Sequence, residues 1–264
     1  MAITTHRKSG QKRKRAREAR RLVRDRKIFA VLRLSIAEAK RRHAQFDEEI
    51  EPLSVFYGKP DKPGSWELTP LPLGKQVNGR QMPQWDDLSQ WMKVALATMV
   101  CHEWELLTFN VNLHPALERD LVSQGSVRSR LAARVRKHLA RSIGRGREYF
   151  FVLEGHEKDT GNQTHLHLHG AIVANGKPDR MTIKKALGKA AGHNIRGSKA
   201  IPRAVHSKWF EMMRVAYPNY LFKFTLRFDP RLEVRRLVMS DAMTQAARMF
   251  WEDISRGVTR AEDA

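Results

Sequence analysis

Residues 164–173, THLHLHGAIV, set histidines at 165, 167 and 169 with a leucine between each pair. A strand sends successive side chains to opposite faces, whereas a helix would scatter this set around its axis. The alternation therefore predicts a two-faced β-strand, with Leu166 and Leu168 toward a core and His165, His167 and His169 along the other side. Neutral imidazole is the commonest metal ligand, and same-face positions on one strand lie close enough for two rings to share an ion. Upstream, REYFFVLEG (147–155) has strand-forming composition and is joined to the histidine strand by the polar stretch HEKDTGNQ, which predicts a hairpin. Glu154 and His156 end this neighbouring strand two residues apart and supply candidate third ligands. Glu154 is favoured because it sits within the strand. His156, expected in the loop, is the alternative, and His165 is an accessory candidate.

The flanking pattern extends the sheet. LLTFNVNL (106–113) reads as a strand, and SVRSRLAARVRKHLARSIG (126–144) as a basic amphipathic helix with Val127, Leu131, Val135 and Leu139 every fourth residue and Gly144 at its end. A short helix (MTIKKALGKAAG), a strand (SKAIPRAV), a helical stretch (SKWFEMMRVAYPNYLFKFTLRF) and a packing helix (SDAMTQAARMFWEDIS) follow. The order β-α-β-β-α-β-α predicts an α+β fold, an antiparallel sheet with helices packed on it. This domain is expected over 105–230, with a C-terminal packing helix over 231–264. Ahead of it, residues 28–46 and 86–104 read as helices, and 51–83 hold six of the eleven prolines and read as an irregular connection within an extension over 28–104.

Charge points to the partner. The chain carries a formal net charge of +21, and residues 1–27 contribute twelve Lys or Arg against only Glu18 and Asp25. A block of that kind reads as a disordered arm that contacts phosphates. Arg13, Lys14, Arg15, Arg17, Arg20 and Arg21 in the arm, with Arg134, Arg136 and Lys137 on the basic helix, are the candidate DNA-binding residues. One cysteine, Cys101, excludes an internal disulfide and a multi-cysteine zinc site. No apolar run approaches the roughly 20 residues of a membrane span, and no signal peptide is recognised, so a soluble, cytoplasmic protein is expected.

YPNYLFK (217–223) puts Tyr220 and Lys223 three residues apart, one turn of a helix, with Tyr217 just before. Pro218 favours a helix start, which would leave Tyr217 at the cap. In order along the chain, LLTFNVNL, HLHGAIV with His167 and His169, and YLFK with Tyr220 and Lys223 resemble the motifs of the HUH endonucleases, the rolling-circle replication initiators and relaxases. The resemblance covers about residues 105–228 and departs in the extra His165 and a loosely matched first strand. It implies a divalent metal, Mn or Mg, held by His167, His169 and a third ligand, with Tyr220 as nucleophile, Lys223 as its electrostatic partner and Tyr217 as a second tyrosine. It further implies nicking and rejoining of single-stranded origin DNA of a plasmid or phage through a 5′-phosphotyrosine. No GxxxxGK[ST] loop occurs, so a host helicase and a polymerase would be partners. Transposase or relaxase use of the same chemistry is an alternative reading. A histidine-triad nucleotide hydrolase, which HLHLHGA also resembles, and a non-catalytic nucleic-acid-binding protein are others.

Overall fold

The computed structural model describes residues 2–43, 82–101, 106–156, 162–193, 204–209, 216–223 and 226–262. They divide into two compact units, one formed by Met1–Arg17 with Ala97–Ala246 and the other by Glu18–Leu96 with Ala247–Ala264.

The first unit is an α+β structure built on five strands: β1 (Leu106–Asn112), β2 (Tyr149–His156), β3 (Gln163–Val173), β4 (Val205–Trp209) and β5 (Leu237–Met239). Their order is β4-β1-β3-β2-β5, and every neighbouring pair is antiparallel. The histidine strand β3 is thus central, and β2 and β3 form the hairpin that the sequence predicts. One face of the sheet carries Leu107, Phe109, Val111, Phe151, Leu153, Leu166, Leu168 and Ile172 into a core shared with helices α3 (Pro115–Gln124), α4 (Val127–Ile143) and α5 (Gly176–Ala190). Helix α4 buries Val127, Leu131, Val135 and Leu139, the every-fourth-residue set read from the sequence, and stops at Gly144, whose φ of 89° suits a residue without a Cβ. Helix α3 begins at Pro115 behind His114, whose ring Nδ1 accepts the Ala116 N–H.

Gly170, next to His169 on β3, is a position where the sheet leaves no room for a side chain. A Cβ there would collide with the Phe150 carbonyl and come within 2.7 Å of the Phe109 ring.

The second unit explains the two acids in the basic N-terminal segment. Where a disordered arm over 1–27 and a separate extension are expected, a single helix α1 runs from Ala2 to His43. Glu18 and Asp25 lie seven residues apart, two turns on one face. Both meet the start of helix α2 (Gln90–Val100): Glu18 accepts the Gln90 N–H at 2.8 Å, and the fully buried Asp25 accepts the Ser89 N–H at 2.6 Å. Ser89 in turn caps α2, its hydroxyl accepting the Met92 N–H. Carboxylates suit this place because the first N–H groups of a helix lack intrahelical partners and its N-terminus is positive. Phe29 packs edge-on against Trp91, ring centroids 5.2 Å apart.

Other boundaries also differ from the sequence reading. A strand expected over SKAIPRAV begins only at Val205 and runs to Trp209, so the helical stretch expected from Ser207 starts as strand. Helix α6 is described over Ala216–Leu221, which puts Tyr217 inside it rather than at a cap before Pro218. Helix α3 and strand β5 are additional, and β5 precedes the C-terminal helix α7 (Asp241–Glu262) within the segment read as that helix alone. Most of the proline-rich connection, 51–81, and most of SKAIPRAV lie outside the described residues. Among the described residues no helix is long and apolar enough to cross a membrane.

Removing the Asp25 carboxylate leaves the buried Ser89 N–H without its acceptor, a loss of about 1–3 kcal/mol. Asp25→Ala should therefore lower the denaturant midpoint and speed amide exchange in α2, while exchange in β3 stays as it was.

Candidate metal centre and adjacent tyrosines

Register sets the site. Glu154 on β2 and Asn112 on β1 are the cross-strand partners of His167, and Asn110 on β1 faces His169, so all five share the sheet face opposite the main core. Glu154, His167 and His169 each offer one ligand atom, and these atoms lie within 4.8 Å of one another. The two imidazoles meet edge-on with centroids 4.7 Å apart.

Both Glu154 oxygens are buried and make no hydrogen bond. An unbonded carboxylate in an apolar setting resists ionisation, and burial pushes the Glu154 carboxyl up to about 7, against the pull of Lys223, Arg236 and Arg227. Burial, with His167 and Lys223 alongside, pushes His169 down to about 3. Glu154 Oε2 and His169 Nε2 stand 3.9 Å apart. Both shifts favour the uncharged partners, so the contact is not an ion pair at neutral pH. His167 is also lowered by burial, although its bond to the His165 carbonyl works the other way. In that bond, 3.0 Å long, His167 Nδ1–H donates, which fixes the tautomer and leaves Nε2 as the lone-pair nitrogen. Two neutral imidazoles and a carboxylate with no other partner form a donor set that a divalent cation satisfies. A buried group able to hold a metal ion is therefore present, and the favoured third ligand Glu154 belongs to it.

The other candidates fall elsewhere. His156 is in strand β2 rather than in the loop, but a register irregularity between Glu154 and His156 separates the two, and the ring stays outside the ligand group. His165, the accessory candidate, lies outside this three-residue group. Its Nδ1 lies 3.0 Å from Glu118 on α3, which also accepts the Leu166 N–H at 3.2 Å and an Arg231 N–H at 2.7 Å. Arg231 binds Asp229 and the Gly155 carbonyl as well. This network clamps the start of β3, the segment whose carbonyl orients His167.

Helix α6 brings the tyrosines over the same face. Tyr220 meets the His169 ring edge-on at 5.4 Å, and Lys223 Nζ lies 4.6 Å from the centre of the Tyr220 ring. Tyr217 stacks nearly parallel to Tyr220 at 6.4 Å, and its hydroxyl donates to the Gly170 carbonyl at 2.8 Å. Burial raises both phenols, and the Glu154 charge raises Tyr220 further. Tyr220 remains 40% exposed, whereas the Tyr217 hydroxyl is engaged with the Gly170 carbonyl.

Of the basic candidates, Arg13, Lys14, Arg17, Arg20, Arg136 and Lys137 are exposed. Three others have intramolecular partners: Arg15 lies over the Phe228 ring, Arg21 pairs with Asp87, and Arg134 donates to the carbonyls that end α5. Asn110 and the Glu118–Arg231 network are the site features that sequence reasoning missed. The FNVN alternation carried a signal for Asn110, whose Oδ1 is buried without a partner beside His169. Comparison with protein-family models, curated proteins and solved structures finds no match to this chain.

Two outcomes are expected. A carboxyl with a folded value near 7 against 4.5 unfolded is costly to ionise, so its contribution to stability falls as pH rises from 4.5 through 7, by about 3 kcal/mol in full. In chelator, Glu154→Gln should melt above the parent at pH 8, with the gap closing toward pH 5; a gap independent of pH contradicts this assignment. His165→Ala should keep manganese affinity within about threefold by calorimetry, because its ring lies outside the Glu154–His167–His169 group.

Proposed function

We propose that this chain is a metal-dependent endonuclease of the HUH class that nicks and rejoins single-stranded DNA through a tyrosine nucleophile, initiating rolling-circle replication of a plasmid or phage. The observation that carries the reading is the placement of Tyr220, edge-on to His169 and below Lys223, beside the Glu154–His167–His169 group. The ordered motifs of the sequence support it, as does the net charge of +21, which attracts a polyanion.

Manganese or magnesium held by Glu154, His167 and His169 would supply Lewis-acid polarisation of a non-bridging oxygen of the scissile phosphate. The remaining steps belong to the chain. Tyr220 loses its proton and its phenolate oxygen attacks phosphorus in line. The bond from phosphorus to the 3′-oxygen breaks, and that oxygen takes up a proton. The products are a 5′-phosphotyrosine and a free 3′-hydroxyl, and the reverse attack by a 3′-hydroxyl rejoins the strand. Because burial and Glu154 both hold the phenol protonated, the Lys223 ammonium has a defined task, to stabilise the phenolate as it forms. Tyr217, tied to the Gly170 carbonyl and held protonated by burial, fixes α6 against β3 and sets the height of Tyr220 above the site.

The test is incubation with a single-stranded oligonucleotide and manganese, followed by denaturing electrophoresis and peptide mass spectrometry. A covalent adduct on Tyr220 is expected, absent in Tyr220→Phe and in the His167→Ala, His169→Ala double variant, and retained in Tyr217→Phe. An adduct on Tyr217, or nicking that survives the double variant, overturns the reading.

A further inference from the structure

A second basic feature lies apart from the metal centre. Between helix α4, the loop that follows it and the edge strand β5 runs a groove of about 700 Å³. Five cations line it, Arg128, Arg136, Lys137, Arg145 and Arg147, against a single carboxylate, Asp241. Arg128 and Arg147 face Glu233 and Asp179 at 3.7 and 3.4 Å. Arg136, Lys137 and Arg145 are exposed and enter no salt bridge among the described residues. The loop GRGR (144–147) turns on Gly144 and Gly146, with φ of 89° and 80°. A Cβ at either glycine would meet nothing within 4 Å, so packing does not require them, and they leave the loop backbone uncovered beside the groove.

The groove and the metal centre use opposite faces of the sheet. Tyr149 lines the groove from the helix side at one end of β2, and Glu154 reaches the metal group from the other face five residues on, about 17 Å along the strand. Their surfaces also differ in chemistry. Among the described residues that line the groove the only aromatic is Tyr149, which is buried and stacked on Phe151, so they offer no platform for an unpaired base. The metal face presents the partly exposed Tyr220, edge-on to His169.

We propose that this groove is a second nucleic-acid site, which holds the phosphate backbone of double-stranded DNA while the metal face takes the single strand. The choice of DNA rests on the function proposed above; the preference for a duplex rests on the concave, cationic, aromatic-poor lining. Arg136, Lys137 and Arg145 follow the backbone as point charges, and contacts of this kind add affinity without reading sequence. A flat anionic membrane would not reach into a concave groove, which makes a lipid surface the less suitable occupant.

The experiment is titration of a labelled 20-base-pair duplex by fluorescence anisotropy across a salt series, with full-length protein. It involves no nicking step, so it reads the groove whether or not the chain cleaves DNA. The Arg136→Ala, Lys137→Ala, Arg145→Ala variant should bind the duplex at least about tenfold more weakly, and the slope of log K against log salt should fall by between about 2 and 3. A control variant, Lys184→Ala, Lys185→Ala, Lys189→Ala, removes the same charge from the exposed side of α5 and should change affinity less than about threefold. Equal losses in the two variants would reduce the groove to part of a diffuse field and overturn the proposal. So would a groove variant that loses binding to phosphatidylserine vesicles while keeping the duplex. All the substituted side chains are exposed, and matching thermal melts confirm that the variants fold.

Discussion

The metal face is organised around a carboxylate that the fold buries and leaves without a hydrogen bond. Glu154 is fully enclosed on β2, opposite His167, and both of its oxygens lack protein donors. Such a group is costly in a folded chain, and the surrounding residues bear that cost as a shared electrostatic arrangement. His169 and His167 stay neutral beside it, while Lys223, Arg236 and Arg227 partly offset its burial. A cation between the three ligands would relieve all of these groups together. The strand register that makes this arrangement also faces the leucines of β3 into the main core, so the site and the core are two sides of one alternation. Slipping β3 by one residue would exchange them.

Support for the site comes from contacts that lie outside it. Glu118, on the first helix after β1, fastens the beginning of β3 through the Leu166 N–H and the His165 ring, and the His165 carbonyl holds His167 in the tautomer that leaves Nε2 with its lone pair. Gly170 allows the Phe109 ring and the Phe150 backbone to close on β3 immediately after His169, and its carbonyl receives the Tyr217 hydroxyl. The tyrosine helix is therefore anchored to the same strand that bears the histidines, which sets Tyr220 against His169 through a short chain of direct contacts.

What the sequence revealed of this follows from periodicity. The alternation in β3 and the four-residue repeat of α4 are local signals, and both elements formed where they indicate. Glu154 was legible for the same reason, being inside a strand on the neighbouring side of a hairpin. The contact of His165, an accessory candidate by its face, was not legible, because its partner Glu118 comes from a helix 47 residues earlier. The N-terminal segment was misread because its charge dominates its pattern. Only two acids interrupt twelve cations, and their seven-residue spacing marks a face that meets the buried start of α2, a partner more than sixty residues away in the chain. Strand β4 pairs with β1 across about a hundred residues of chain, a partnership that local composition does not encode.

The central claim is that Glu154, His167 and His169 form one cation site. The most direct measurement is an anomalous-difference map from crystals of the protein soaked in manganese chloride at pH 8, where Glu154 ionises. The account predicts a single strong peak among the Glu154 carboxylate, the His167 Nε2 and the His169 ring. Ordered side chains with no peak between them, or a peak at His165 or His156 in its place, would contradict it.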